Sequence, residues 1–109
     1  MNFIKNLEMS KIINLKDQVE YIPNQHSMKF IAQNNNLSLI LLSLDENVTI
    51  PTHHTTGDAL IFILEGEGIF NLNGTDFNLK IGETIVIPAN MPHSVKGKTK
   101  LKFSLTIVK

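Results

Sequence analysis

The stretch PTHHTTGDALIFILEGEG, from Pro51 to Gly68, sets the reading of this chain. A histidine pair and a glycine turn lead into the apolar run ALIFIL, and the stretch closes on two glycines that flank a single glutamate. A short apolar run bounded by turn residues reads as a buried strand. Similar runs lie on both sides of it: SMKFIA and LSLILLSL upstream, then GIFNLNG, DFNLK, TIVIP and LKFSLTIV downstream. Between two of them stands Asn73-Gly74, a pair that tolerates the positive φ angles of a tight hairpin turn, so IFNLNGTDFNL is expected to be a hairpin. The Asn-rich QNNN segment reads as a turn, because strand-like sequence resumes at once on either side. No segment sustains helical periodicity; MSKIINLKDQVEYI fits either a helical turn or a short edge strand. Many short strands and almost no helix predict an all-β sandwich or barrel.

A chain of 109 residues, 42% hydrophobic and with formal net charge +0, has material for one packed domain and little electrostatic pull toward nucleic acid or an anionic membrane. Neither partner is expected. The ten basic residues are all lysine, so no guanidinium is present to grip a phosphate or carboxylate with two parallel hydrogen bonds. The absence of cysteine excludes disulfides and thiolate chemistry. The start, MNFIKNLEMSK, has no apolar segment followed by a small-residue cleavage site, and LSLILLSL is too short to span a bilayer. A soluble, cytoplasmic protein is expected. LSLILLSL is apolar at both parities from Leu39 to Leu42, so both faces of that strand must be covered. A partner subunit is the simplest cover, which predicts a homodimer; a terminal segment folded across the face is the alternative.

The opening stretch, together with GETIVIPANMPHSVKG, resembles the two motifs of the cupin family of small β-barrels. In that family the first motif runs His-x-His, three or four residues, Glu, six residues, Gly. The second runs Gly, five residues, Pro-x-Gly, two residues, His, three residues, Asn. With Gly66 as the closing glycine, Ala59 stands at the glutamate, His53 at the first histidine and Thr55 at the second. In the second motif Gly82, Pro88 and His93 match, whereas Asn90 replaces a glycine and Gly97 replaces the asparagine. The resemblance implies a single-domain jelly-roll barrel over residues 1–109, with an N-terminal arm at 1–25 and the barrel carrying both motifs at 37–109. It also implies a site for one divalent transition metal, for which only His53 and His93 stand at ligand positions.

Two imidazoles leave most of a transition metal's coordination to water or substrate, so they should hold it weakly. His54 could add a ligand only through a bulge, because neighbours on a regular strand face opposite ways. Pro51 upstream and Gly57 downstream make irregular backbone plausible there. Asp58 beside the Ala59 position would need a similar distortion, and His26 could join only if its segment lined the barrel. On the same alignment Thr55, Ala59 and Ile61 face inward with the two histidines, and Met91 lies near the rim. Together, His53, Thr55, Ala59, Ile61, Met91 and His93 make a small, largely apolar ligand-binding set with a few polar handles. The leading expectation is a barrel pocket that binds a small organic molecule, with a degenerate metal site. The alternative is a metal-dependent enzyme of the dioxygenase, isomerase or decarboxylase type that uses His53 and His93.

Overall fold

The computed structural model describes residues 3–109; Met1 and Asn2, the first two residues of the expected arm, lie outside the described residues. Nine strands follow a single 3-10 turn at Leu15–Asp17: β1 (His26–Gln33), β2 (Leu37–Leu44), β3 (Thr49–His53), β4 (Asp58–Glu65), β5 (Glu67–Leu72), β6 (Thr75–Lys80), β7 (Thr84–Ile87), β8 (His93–Gly97) and β9 (Leu101–Val108). They form a five-stranded sheet in the order β1-β2-β9-β4-β7 and a four-stranded sheet in the order β3-β8-β5-β6. All strand pairs are antiparallel. The chain is an all-β jelly-roll barrel.

Alternation along the strands builds the interior. In β4 every second residue from Ala59 to Ile63 is buried, and in β5 the buried set is Gly68, Phe70 and Leu72. These side chains meet Ile40, Leu42 and Leu44 of β2 and Leu101 and Phe103 of β9 in one continuous core. Fully burying a side chain of this size stabilises by about 1.5–3 kcal/mol, so the alternation fixes which face of each strand turns inward. The predicted hairpin is present. Leu72 pairs with Thr75, and Asn73 and Gly74 between them have φ of 49° and 94°. The QNNN turn closes through the Asn34 Oδ1, which accepts from the amides of Asn36 and Leu37 at 2.8 and 2.9 Å.

Sequence periodicity does not reveal β3 and β8. The first, TIPTH, is interrupted by proline, and the second, HSVKG, is short and half polar. Strand β1 also begins at His26 and pairs along its length with β2, so the sheet starts well before residue 37.

The second apolar face of LSLILLSL is covered within the chain. Val19 packs with Ile31 and Leu41 in a small outer core beside Leu7, Leu39 and Leu64. Apart from its 3-10 turn, segment 9–22 forms neither a helix nor a strand, and polar bonds fasten it. Ser43 Oγ donates to the Glu20 carbonyl at 2.7 Å, Tyr21 Oη donates to Glu65 Oε1 at 2.8 Å, and Lys102 Nζ donates to the Lys16 carbonyl. The face from which a homodimer was expected is thus filled by the N-terminal arm.

Candidate functional site

The two strands that periodicity misses carry the two histidines at the ligand positions. His93 opens β8, His53 closes β3, and they lie directly opposite one another in the ladder. Their placement depends on an irregularity. Ile50 pairs with Val95 and His53 with His93, so Pro51 and Thr52 together face the single residue Ser94. Two residues against one is a bulge. Ile50 and His53 are three apart, and on a regular pleat they would point to opposite faces; the bulge brings both onto the barrel's interior wall. Pro51 is tolerated in it because β3 is an edge strand and loses little from a missing N–H donor.

The ring centroids of His53 and His93 are 4.3 Å apart and the planes are tilted by 59°. His53 Nδ1 lies 2.9 Å from the Pro51 carbonyl oxygen, and His93 Nδ1 lies 2.9 Å from that of Met91. A carbonyl can only accept, so each ring carries its proton on Nδ1 and, when neutral, leaves Nε2 as an open lone pair. His93 is 8% exposed, and burial holds its pKa below the ordinary imidazole value. The bond to Met91 opposes that shift, and the neighbouring charges of His53 and His54 add to it.

Between the sheets lies a cavity of about 130 Å³. Phe70 and Phe103, packed edge to face with centroids 5.4 Å apart, form part of its lining. Leu42, Ile50, Ile61, Ile87, Val95 and Leu105 supply apolar wall, and the exposed side carries His26 and Met28 of β1. A second hollow, about 240 Å³, lies where Phe3, Lys5 and Asn6 cross β1. It is a seam of the arm: Lys5 N and Asn6 Nδ2 donate to the carbonyls of Ile31 and Phe30.

Of the residues predicted for the ligand set, the cavity brings together His53, Ile61 and His93. Three others stand outside its lining. Thr55 Oγ1 donates to the Gly57 carbonyl at 2.9 Å in a local turn. Ala59 is fully buried in the core, and Met91 packs against that core while its carbonyl orients His93. The spacing that carried Thr55 inward assumed a regular strand, whereas β3 ends at His53 and β4 begins only at Asp58. His53 is itself exposed, yet it lines the cavity, whereas His54, just past the end of β3 and also exposed, stands outside the lining. Asp58 Oδ1 is occupied by the Ala89 amide at 2.8 Å. The condition set for His26, that its segment line the barrel, is met, and Met28, which the sequence did not single out, lines the cavity beside it. Their spacing of two on a strand beside LSLILLSL was the available signal for a shared inward face.

These donors do not fit a tightly held transition metal. Structural and catalytic zinc sites take three or four protein ligands. Among the described residues no group of three or more His, Cys, Asp or Glu is placed to hold an ion. The other two departures from the motif are conformational. Asn90 has φ of 67°, so it keeps the left-handed backbone for which glycine is the usual choice. At Gly97 a Cβ would stand 2.8 Å from the Thr99 carbonyl oxygen and 2.9 Å from that of Asp45, which leaves no room for asparagine.

Comparison with known proteins agrees with this architecture. The family model described as "Cupin domain" matches residues 40–108. A protein of Thermotoga maritima named "Oxalate-binding protein" is 26% identical over 102 residues, covering 90% of this chain and 84% of its own length. An uncharacterized protein of Methanocaldococcus jannaschii is 38% identical over 56 residues, 50% of this chain, and this chain spans only 45% of it. Among solved structures, a conserved protein of unknown function from Streptococcus pyogenes superposes with a TM-score of 0.96 at 29% identity, covering 100% of this chain and 96% of its own.

Proposed function

The chain belongs to the cupin family, and from that premise we propose that it binds one small organic molecule in the barrel cavity without a tightly held metal. One observation carries the reading: two imidazoles stand side by side at the wall of a largely apolar cavity, and although His26 also lines it, among the described residues no group of three or more His, Cys, Asp or Glu is placed to hold an ion. Apolar walls supply affinity, and the few polar groups fix orientation. The size of the cavity limits the ligand. An engineered apolar cavity of about 150 Å³ accepts benzene, so about 130 Å³ suits a molecule of roughly that size. The name of the Thermotoga relative supports small-molecule binding as a class. Oxalate itself is a poor match for these residues, because no lysine lines the cavity to meet a dianion.

The test is a thermal-shift screen of compounds with up to about eight non-hydrogen atoms in the presence of EDTA, followed by titration of the hits. His53→Ala and His93→Ala are each expected to abolish binding while the far-ultraviolet spectrum stays that of a β-protein. Unaltered binding in both variants would defeat the reading. A near-stoichiometric metal on chelator-free protein, lost in the double variant, would contradict its metal-free character.

A homodimer remains part of the proposal on a different surface. Leu60 and Val86 are paired across β4 and β7, Phe62 shares their outer face, and all three are exposed. Sedimentation of the wild type against Phe62→Lys tests whether a second copy covers them. No helix among the described residues is long and apolar enough to cross a membrane.

A further inference from the structure

The hydrogen-bond pattern of the histidine pair also says what kind of molecule the cavity takes, given the ligand-binding reading above. Each ring's Nδ1 is committed to a backbone carbonyl two residues upstream, at 2.9 Å for both. Both tautomers are therefore set by the main chain, and the nitrogen left open on each neutral ring is an acceptor. The remaining lining residues are hydrocarbon, apart from His26 on the exposed side and the thioether of Met28, a weak acceptor. No lysine, serine, threonine, asparagine or backbone-free amide donor is among the lining side chains. A cavity so built holds acceptors facing apolar walls and lacks a fixed donor.

We infer that the site selects a small neutral hydrogen-bond donor, a hydroxyl or amine N–H on an apolar body, which donates to the Nε2 of His53 or His93. The reasoning is one of pairing. A ligand that only accepts, such as an ether or a carboxylate, brings its lone pairs against those of the two rings and leaves both sides unsatisfied at the buried His93, although the exposed His53 can still turn to water. A pure hydrocarbon fills the volume but strands the acceptor of the buried His93 away from water. A donor on an apolar body satisfies both demands at once. Met28, Phe70 and Phe103 then enclose the body, and the ring pair reads the polar end. This separates the chain from a pocket that recognises a carboxylate through cationic side chains.

The two proposals are tested together with isosteric probes. Phenol and toluene have nearly the same shape, but only phenol carries a donor. Their affinities for the full chain are measured by calorimetry or by protein-observed NMR, with EDTA present so that no metal supplies the difference. In a purely apolar cavity toluene wins by about tenfold, because phenol's hydroxyl is buried unpaired. With an open imidazole acceptor the order reverses, and phenol is expected to bind about tenfold more tightly than toluene. In the double variant His53→Leu/His93→Leu the preference should return to toluene. Tighter binding of toluene by the wild type overturns the inference while leaving the cavity-binding reading intact. Binding of neither probe overturns both. If the double variant does not fold, the wild-type order alone decides.

Discussion

Gly66, the closing glycine of the first motif, gives a test of how tightly the two sheets are joined at its position. It connects β4 to β5 with φ of +77°, and a Cβ there would lie 1.8 Å from the Lys100 carbonyl oxygen and 2.8 Å from Thr99 Oγ1. Alanine at this position meets two penalties. The left-handed backbone costs about 1 kcal/mol for a residue with a Cβ. The overlap cannot be relieved by a rotamer change, because the obstacle is main chain, and overpacking of that kind costs about 2 kcal/mol more. Gly66→Ala should therefore lose about 3 kcal/mol. Gly82 is the control: its φ is +82°, yet nothing lies within 4 Å of the Cβ it would gain. Gly82→Ala should lose only the backbone share, about 1 kcal/mol. The assay is urea denaturation of both variants beside the wild type, with the midpoints converted through a shared slope. A chain of this size shifts its midpoint temperature by roughly 4–8 °C per kcal/mol, so heating should give the same order. Equal losses in the two variants, or a loss below about 1 kcal/mol for Gly66→Ala, would refute the steric argument.

Three further outcomes are expected. Burial and the bond to Glu65 hold the Tyr21 phenol above its ordinary pKa near 10; its folded-state stabilisation is present below that value and is lost as pH rises beyond it. Since Tyr21 is the one tyrosine of the chain, its absorbance near 295 nm should stay that of the protonated phenol above pH 10, and Glu65→Gln should move the transition down. His93, held below the ordinary imidazole value by burial, stays neutral while the unfolded chain takes up a proton, so stability should fall as pH drops from about 6.5; NMR titration of its ring in native protein should show a midpoint below that of a free histidine. Ala59 is 0% exposed, so Ala59→Glu, which restores the residue type of the family motif, should cost about 3 kcal/mol or more at neutral pH, and a near-neutral effect in denaturation would show that the site is roomier than described.

The barrel was legible because burial imposes period two on the strands that form most of its core. ALIFIL, GIFNLNG and LKFSLTIV each mark an inward face by themselves, and Asn73-Gly74 marks a turn by its tolerance of positive φ. The site was legible only in part. Its histidines stand on TIPTH and HSVKG, edge and near-edge segments in which proline, glycine and polar residues break the alternation. The bulge at Pro51 and Thr52 decides that His53 and not His54 faces inward, and no period shows a bulge. Ala59 does face inward with Ile61, as the motif count expected, but it is buried in the core and not in the cavity lining, while Thr55 lies in the turn between β3 and β4. The cover over Leu41 could not be told from sequence, since Val19 and a partner subunit would satisfy the same apolar face; the bonds of Ser43, Tyr21 and Lys102 to the arm and the sheet settle which does.

The central claim, that the cavity between His53 and His93 is a metal-independent binding site, is tested most directly by methyl NMR. Ile61, Ile87 and Leu105 are labelled, and a panel of small neutral molecules is titrated in EDTA. The account predicts saturable shifts confined to these lining methyls for at least one molecule, absent in His53→Leu/His93→Leu. Shifts that require an added divalent metal, or no compound reaching these methyls at all, would contradict it.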